Sequence, residues 1–236
     1  MGGDECRKKQ LKLWEGEGRE RFQGMKTTIR HESLWEMNRD IAEACLQHPF
    51  VRRLADGSLP VEKFKRYIAQ DKFFLDAYAK AYAVACTKAR NHEDLKVFHE
   101  LLGGVLEELK LHESYSSKLE ISFKDVKPLR ETKAYTDFLL LTAWEGTVGE
   151  ILSAMTPCMR LYAFLGQKIL NATPPPILTH PYSEWIVNYG SAEFGRLATR
   201  LESLLEMQKG DQEVLQKYYR HAMRCELNFF EGAWRS

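Results

Sequence analysis

Asp71, Cys158 and Glu226 are the residues of this chain whose chemistry and position best fit a catalytic site. Each occurs among apolar residues that repeat with the spacing of one helix face, so each is predicted to point into the protein interior. Burying an unpaired carboxylate is costly, so two inward carboxylates indicate mutual pairing, hydrogen bonds or a lined pocket. A thiol can act as a nucleophile and a buried carboxyl can transfer protons, so the three together predict nucleophilic catalysis with acid–base assistance.

Each of these residues also has a simpler explanation. A free cysteine is most often a small buried hydrophobic residue, and Asp71 or Glu226 could instead pair with a cation on a neighbouring helix. Pro157, directly before Cys158, adds a local signal. Inside a helix it cannot donate to the carbonyl of Ser153, and it is predicted to kink the helix and free backbone polar groups beside the sulfur.

Helical periodicity accounts for nearly all of the chain, and no strand-like alternation extends beyond a few residues. The predicted helices cover 31–47, 60–88, 93–119, 131–144, 147–170, 180–189 with a continuation over 191–207, and the stretch after Asp211 to 234. The first pattern ends at His48-Pro49, because proline disfavours helix in the preceding residue. Its predicted buried face consists of Leu34, Met37, Ile41, Ala44 and Cys45.

These elements predict an all-α fold, a single-domain bundle of about seven helices. Residues 1–28 are charged and weakly periodic, so they are predicted to form an N-terminal extension, with the helical domain over 29–236. Pro174-Pro175-Pro176 is the clearest loop signal in the chain.

Composition narrows the class of partners. The 236 residues are 44% hydrophobic and 28% charged, with 34 Lys and Arg against 33 Asp and Glu. Without a basic run that contains aromatic residues, nucleic acid is not a predicted partner, and no apolar run reaches the roughly 18 to 20 residues of a membrane span. The five cysteines are widely spaced and lack a CxxC pair, so they are predicted to be reduced in a soluble, cytoplasmic protein.

Several short strings, in order and over about residues 48–234, resemble the TenA family, also called thiaminase II or aminopyrimidine aminohydrolase. Each string alone is a weak signal, but all of them together, in this order and spacing, are specific to the family. The strings are His48-Pro49-Phe50-Val51, Asp56-Gly57-Ser58-Leu59-Pro60, Phe64-Lys65-Arg66-Tyr67-Ile68-Ala69-Gln70-Asp71, Glu150-Ile151-Leu152, Pro157-Cys158, Trp185-Ile186-Val187-Asn188-Tyr189-Gly190 and Glu226. The Pro-Cys pair is similar to that of the cysteine-containing branch.

The resemblance implies a fold and a reaction. The fold would be a heme-oxygenase-like helical bundle that forms a homotetramer and needs no metal or organic cofactor. The small-molecule substrate would be a pyrimidine, 4-amino-5-aminomethyl-2-methylpyrimidine, hydrolysed to the 5-hydroxymethyl pyrimidine and ammonia in thiamin salvage. Thiamin itself would also be cleaved, to hydroxymethyl pyrimidine and thiazole.

The resemblance also assigns roles to the three polar residues. Cys158 would add to the pyrimidine ring carbon next to the exocyclic methylene, which turns a stable aromatic ring into an adduct that can expel its substituent. Asp71 matches the family residue that holds the ring nitrogen and the 4-amino group. Glu226, with a raised pKa, would give a proton to the leaving group and later take one from water.

Aromatic residues are predicted to complete the pocket. Tyr135, Tyr162 and Tyr189 match family tyrosines that contact the pyrimidine or lie near the nucleophile, although a single tyrosine is more often a core residue with a satisfied hydroxyl. Phe229, on the helix of Glu226, is predicted to stack on the substrate. Phe74 is a departure, because some family members have a tyrosine there that helps to activate the cysteine. Thiol activation would then depend on Tyr135 and the carboxylates.

Two other functions are compatible with the sequence. The missing hydroxyl at Phe74 leaves open a non-catalytic, pyrimidine-binding or regulatory member of the same superfamily. Glu108 and His112 have the i, i+4 spacing of a metal-dependent oxidase, but a di-iron bundle needs repeated Glu-x-x-His pairs and no second pair is present. We therefore predict no metal site, and a solvated or partly packed face at Glu108 and His112.

Overall fold

The computed structural model describes residues 31–121, 123–124, 126–173, 177–208 and 210–235. The extension predicted for 1–28 and the proline loop at 174–176 lie outside these ranges. All regular structure within them is helical, which confirms the all-α prediction. The α-helices are α1 (His31–Glu36), α2 (Arg39–Gln47), α3 (Pro49–Ala55), α4 (Val61–Lys88), α5 (His92–Lys118), α6 (Arg130–Glu145), α7 (Val148–Ala172), α8 (Ser183–Gly190), α9 (Ala192–Glu206) and α10 (Gln212–Arg235).

The bundle is organised around α4 and α7. Helix α4 packs against α5 and α6, and α7 packs against α8, α9 and α10. Helix α10 also contacts α6 and α2, which closes the bundle on the remaining side. The buried side chains of these helices form one hydrophobic core. None of the helices in the described ranges has the length and apolar character needed to span a bilayer.

The prediction of one helix over 31–47 is wrong, because the helix is interrupted between α1 and α2. Asn38 lies at the break with its side chain fully buried, and its Oδ1 accepts a hydrogen bond of 3.2 Å from Arg220 on α10. The change of direction also alters the buried face. Met37 is 39% exposed, and Ala44 is exposed as well, so neither belongs to the core.

Several helices begin at a side-chain cap. His48 separates α2 from α3, as the His48-Pro49 signal predicts, and its Nδ1 accepts from the backbone N–H of Phe50. Thr147 begins α7 with a reciprocal capping box to Glu150. Such caps satisfy backbone N–H groups that have no partner within the helix, so they fix where the site-bearing helices start.

Helix α7 continues through Pro157, where one backbone hydrogen bond is lost. Side-chain hydroxyls add hydrogen bonds to the turn before it. The carbonyl of Met155 accepts from Tyr78 Oη at 2.7 Å, and Thr156 Oγ1 donates to the carbonyl of Leu152 at 2.7 Å. Helix α4 is therefore connected directly to the turn of α7 that carries Cys158.

Helices α7 and α8 cross in backbone contact at two glycines. A Cβ atom on Gly166 would lie 2.3 Å from the carbonyl carbon of Tyr189, and one on Gly190 would lie 2.9 Å from the carbonyl oxygen of Gly166. No side chain can be accommodated at such distances without a shift of the backbone. The two glycines thus set how closely Tyr189 approaches Tyr162, whose ring centroid is 4.8 Å away.

We expect Gly166→Ala to lower the free energy of unfolding by about 1–3 kcal/mol, because the added methyl group overlaps backbone atoms of α8. Urea denaturation measures the change. Gly103→Ala is the matched control, since a Cβ at this helical glycine on α5 meets no atom within 4 Å. The control should be neutral or more stable by up to about 1 kcal/mol. Equal stabilities of the two variants would contradict the packing argument.

Candidate active site

The predicted site residues come from five helices and surround one buried region. Asp71 and Phe74 are on α4, Tyr135 is on α6, Cys158 and Tyr162 are on α7, Tyr189 is on α8, and Glu226 and Phe229 are on α10. All except Cys158 are at most 5% exposed, and Cys158 is half-buried. Their roles stay predictions, but the structure places their side chains in one connected network of hydrogen bonds, ring contacts and electrostatic interactions.

Glu226 is at the centre of the first part of this network. Its Oε1 accepts a hydrogen bond of 2.7 Å from Tyr135 Oη, and its carboxyl group is also hydrogen-bonded to the thiol of Cys158. Burial raises the pKa of Glu226 to about 8, against the opposing effect of the Tyr135 hydrogen bond. Glu226 is therefore largely protonated at neutral pH and contacts both a proton donor and the candidate nucleophile.

The Cys158 thiol is not ionised in this environment. Burial, followed by the negative charge of Glu226, raises the pKa of Cys158 well above its usual value. A nucleophilic role therefore requires transfer of the thiol proton to a neighbouring base during the reaction. The hydrogen bond to Glu226 provides a direct path for this transfer.

Asp71 forms a buried ion pair with His112 on α5. The Asp71 Oδ2 and His112 Nε2 atoms are 3.1 Å apart, and both residues are at most 4% exposed. Although burial alone would lower the pKa of His112, the contact with Asp71 raises it overall. The prediction of a solvated or partly packed face at Glu108 and His112 is wrong for His112, which is buried. The simpler explanation of Asp71, an ion pair with a neighbouring helix, is correct and coexists with its place beside the thiol.

Glu108, one turn before His112, also faces the site. It accepts a hydrogen bond from the hydroxyl of Tyr189, and burial raises its pKa to about 7. The i, i+4 spacing of Glu108 and His112 was the available sequence signal, but it places two residues on one face without saying which face is buried. Among the residues that the structure describes, no three His, Cys, Asp or Glu side chains are positioned to bind one metal ion.

Aromatic rings from α4, α7 and α8 form another part of the site. Tyr162 packs against Tyr189, and its hydroxyl accepts a hydrogen bond of 3.1 Å from Tyr67. Tyr67 in turn accepts from Trp185 Nε1 at 3.3 Å. Tyr67 and Trp185 occur in the strings that carry the family resemblance, but sequence reasoning assigned them no place in the site.

Phe74 occupies the position where a tyrosine was possible, and it is packed on several sides by rings. Its centroid is 4.8 Å from Tyr135, 5.2 Å from Tyr78 and 6.1 Å from Phe229. The hydroxyls of Tyr78 and Tyr82 lie one and two turns further along α4, with Tyr82 donating to Tyr78 at 3.3 Å. Both tyrosines interact electrostatically with Cys158. Hydroxyl groups are thus present near the thiol, although none is at position 74.

The chain matches known proteins over most of its length. A model of the TENA/THI-4/PQQC family matches residues 35–236. The aminopyrimidine aminohydrolase of Halalkalibacterium halodurans is 33% identical over 212 residues, which cover 86% of this chain and 94% of that protein. The bifunctional TH2 protein, mitochondrial, of Arabidopsis thaliana is 36% identical over 208 residues, 78% of this chain and 34% of that protein. The chain therefore spans about one third of the TH2 protein.

Solved structures have the same arrangement of helices. A TenA homologue from P. horikoshii OT3 superposes with a TM-score of 0.80 at 28% identity, covering 88% of this chain and 99% of that one. A domain from Shewanella denitrificans described as having a heme oxygenase-like fold gives a TM-score of 0.72 at 14% identity, over 89% and 94% of the two chains. The second comparison concerns the fold alone, and it confirms the predicted heme-oxygenase-like bundle.

Glu226 should make stability depend on pH. Its folded-state pKa of about 8 exceeds the ordinary 4.5, so its stabilising contribution is fully present below the ordinary value and is lost as pH rises through the folded one. Glu226→Gln removes this titration. The decrease in unfolding free energy between pH 5.5 and 8.5 should therefore be smaller in the variant than in wild type, by about 1 kcal/mol or more.

Urea denaturation at the two pH values measures this difference, and Glu213→Gln, which changes an exposed carboxyl on the same helix, is the control. Glu108 and His112 also have raised pKa values, but Glu226 is not among the causes of either shift, so both contribute to wild type and to the variant. If the unfolding free energy of the Glu226→Gln protein fell between the two pH values by as much as that of wild type, the burial argument would be contradicted.

Proposed function

This chain belongs to the TENA/THI-4/PQQC family, and on that premise we propose that it is a hydrolase of thiamin salvage that acts on aminopyrimidines. The proposed substrate is 4-amino-5-aminomethyl-2-methylpyrimidine, which is converted to the 5-hydroxymethyl pyrimidine and ammonia, and thiamin is proposed as a second substrate. Relatives named aminopyrimidine aminohydrolase support the reaction class. The observation that carries the proposal is the hydrogen-bonded cluster of Cys158, Glu226 and Tyr135 beside the Asp71–His112 pair.

Asp71 holds the pyrimidine in the proposed mechanism. A carboxylate in the plane of the ring accepts from the 4-amino group and from a protonated ring nitrogen, which makes the ring more electrophilic. His112 engages one oxygen of Asp71, so it fixes the orientation of the carboxylate and, when protonated, compensates its charge. Rings from Tyr162 and Phe229 enclose the substrate and keep water away from it.

Glu226 exchanges protons with Cys158 and with the departing group. In its ionised form it takes the thiol proton as the sulfur forms a bond to the ring carbon next to the exocyclic methylene. The electron pair pushed into the ring then breaks the carbon–nitrogen bond, and the leaving nitrogen takes the proton from Glu226 to give ammonia. A folded-state pKa of about 8 suits this exchange, because both forms of the carboxyl are populated near neutral pH.

Water completes the reaction by the reverse sequence. It adds to the exocyclic methylene and gives a proton to Glu226, and the electron pair returns to break the carbon–sulfur bond. The thiolate of Cys158 recovers its proton from Glu226, so the net change is one water consumed and one ammonia released. The hydrogen bond from Tyr135 stabilises the ionised form of Glu226, which is present before the thiol proton is taken and again between the release of ammonia and the addition of water.

The cytoplasmic location, the homotetramer and the independence from cofactors are parts of the same proposal. Light scattering on the purified protein tests the oligomeric state, and activity after exhaustive chelation tests the independence from metals. A direct assay distinguishes the proposed hydrolase from the alternative, a non-catalytic pyrimidine-binding protein. The alternative predicts binding of the hydroxymethyl pyrimidine without any release of ammonia from the aminomethyl compound.

We expect Cys158→Ala to fold normally and to lose turnover by on the order of a thousandfold or more, because the change removes the nucleophile and little packing. Ammonia release from the aminomethyl pyrimidine is the measurement. Cys86→Ala, which changes a half-buried thiol at the end of α4, should retain full activity. Activity near wild type in Cys158→Ala would exclude the covalent mechanism.

Asp71→Asn tests substrate holding. The amide keeps the shape of the side chain but removes the charge that favours a protonated pyrimidine, so kcat/KM should fall by about thirtyfold or more, which corresponds to about 2 kcal/mol. The NMR titration of His112 should move to lower pH in the same variant, since its ion pair is lost. Asp76→Asn, an exposed carboxyl on the same helix, is the control. An unchanged kcat/KM would make Asp71 a structural ion-pair partner only.

A further inference from the structure

A cleft of about 340 Å³ lies against the outer side of the site, between α5, α8 and α9. Its walls include apolar side chains such as Leu101 and Phe194, and the backbone of α5 is open to it at Gly104. The proposed mechanism does not use this space. Its volume is sufficient for an organic group of moderate size, since ligand pockets of about 300 Å³ and above are common.

Three residues of the cleft wall lie next to residues of the site. Met159 directly follows Cys158 on α7, Tyr82 donates to the hydroxyl of Tyr78, and Glu108 accepts from Tyr189. Cys158 also interacts electrostatically with Tyr82 and Glu108. The cleft therefore borders the part of the site that contains the candidate nucleophile.

The opposite side of the site is closed. Tyr135, Glu226 and Phe229, on α6 and α10, are at most 4% exposed, and the ring of Phe74 fills the space between Tyr135 and Phe229. Among the site residues, only Cys158 and its neighbour Glu108 are partly exposed. Glu108 also lines the cleft, so a substituent on the reacting methylene that is larger than an amino group has room in that direction.

We propose that this cleft holds the leaving group of the substrate, and that the enzyme accepts aminomethyl pyrimidines whose nitrogen carries an alkyl group. This inference rests on the proposed function and specifies its substrate class. The apolar side chains of the cleft suit the alkyl chain. Glu108, which lines both the cleft and the site, is placed to accept a hydrogen bond from the amine. The described lining contains no Lys, Arg or His side chain that would pair with Glu108 in place of the amine.

The chemical step remains balanced for such a substrate. The sulfur of Cys158 forms its bond to the ring carbon, the carbon–nitrogen bond breaks with its electron pair on nitrogen, and Glu226 supplies the proton that makes the neutral alkylamine. Water then restores the ring as in the reaction of the unsubstituted compound. The products are the hydroxymethyl pyrimidine and one equivalent of the alkylamine.

Substitution of Gly104 by a larger residue can be used to fill the cleft. A Cβ on Gly104 meets no atom within 4 Å and Gly104 lines the cleft, so we expect Gly104→Phe to add a ring to the cleft, and Gly104→Leu is a smaller version of the same change. Gly103→Phe is the matched control. It lies on the same helix, its Cβ also meets no atom within 4 Å, and it is absent from the cleft lining.

The experiment measures kcat/KM for the aminomethyl pyrimidine and for its N-butyl derivative, with thermal unfolding to verify folding. Wild type should cleave both compounds. In Gly104→Phe, kcat/KM for the small substrate should stay within about twofold of wild type, and kcat/KM for the N-butyl substrate should fall by at least about tenfold. Gly104→Leu should show a smaller fall for the N-butyl substrate, and Gly103→Phe should have wild-type values for both compounds. An equal effect of Gly104→Phe on both compounds, no effect on the N-butyl compound, or wild-type activity on the small compound alone would overturn the proposal for the cleft. Wild-type inactivity on both compounds would overturn the proposed function itself.

Discussion

Carboxyl groups buried around one thiol set the main physical constraint on this structure. Asp71 and Glu226 lie almost without solvent contact, and Glu108 is close to them, so each needs a partner or a proton. The partners come from different helices: His112 on α5, Tyr135 on α6 and Tyr189 on α8. Every helix that packs around α4 and α7 at the site therefore contributes a polar contact, and a shift of any of them would leave a buried charge or hydroxyl unpaired.

The buried carboxyl groups differ in the partners that surround them. Asp71 faces His112, which can carry positive charge, whereas Glu226 faces a tyrosine and a thiol, neither of which can. The first arrangement suits a group that holds a cationic ring, and the second suits a group that exchanges protons. Two carboxyls of similar intrinsic chemistry can thus perform different tasks within one pocket because their neighbours differ.

Local sequence signals were sufficient for the long helices. The apolar stripes of α4, α7 and α10 and the breaks at His48-Pro49 and Gly190 predict the observed helices to within a few residues. The break at Asn38 could not be predicted, because its partner Arg220 is far away in the sequence. The burial of His112 was missed for the same reason. Its spacing to Glu108 was visible, but its ion pair with Asp71 depends on how α5 packs against α4.

The candidate site has the same division between local and long-range information. Inward-facing stripes located Asp71, Cys158 and Glu226, and the family resemblance added the tyrosines around them. Tyr67, Trp185 and Tyr78 were not assigned to the site, because their hydrogen bonds connect helices that are distant in sequence. Periodicity identifies the inner face of a helix, whereas the contacts made by that face are decided by the partner helix.

The crossing of α7 and α8 has a consequence for how sequences with this site can diverge. The atoms that would obstruct a side chain at Gly166 are backbone atoms of Tyr189 and Gly190, so no substitution in a neighbouring side chain can make room for one. Most buried positions can change together with their neighbours, but glycine is already the smallest residue, and neither partner can become smaller. Any chain that keeps this spacing between the rings of Tyr162 and Tyr189 must keep both glycines, whereas a chain that replaces either must separate the helices and widen its pocket.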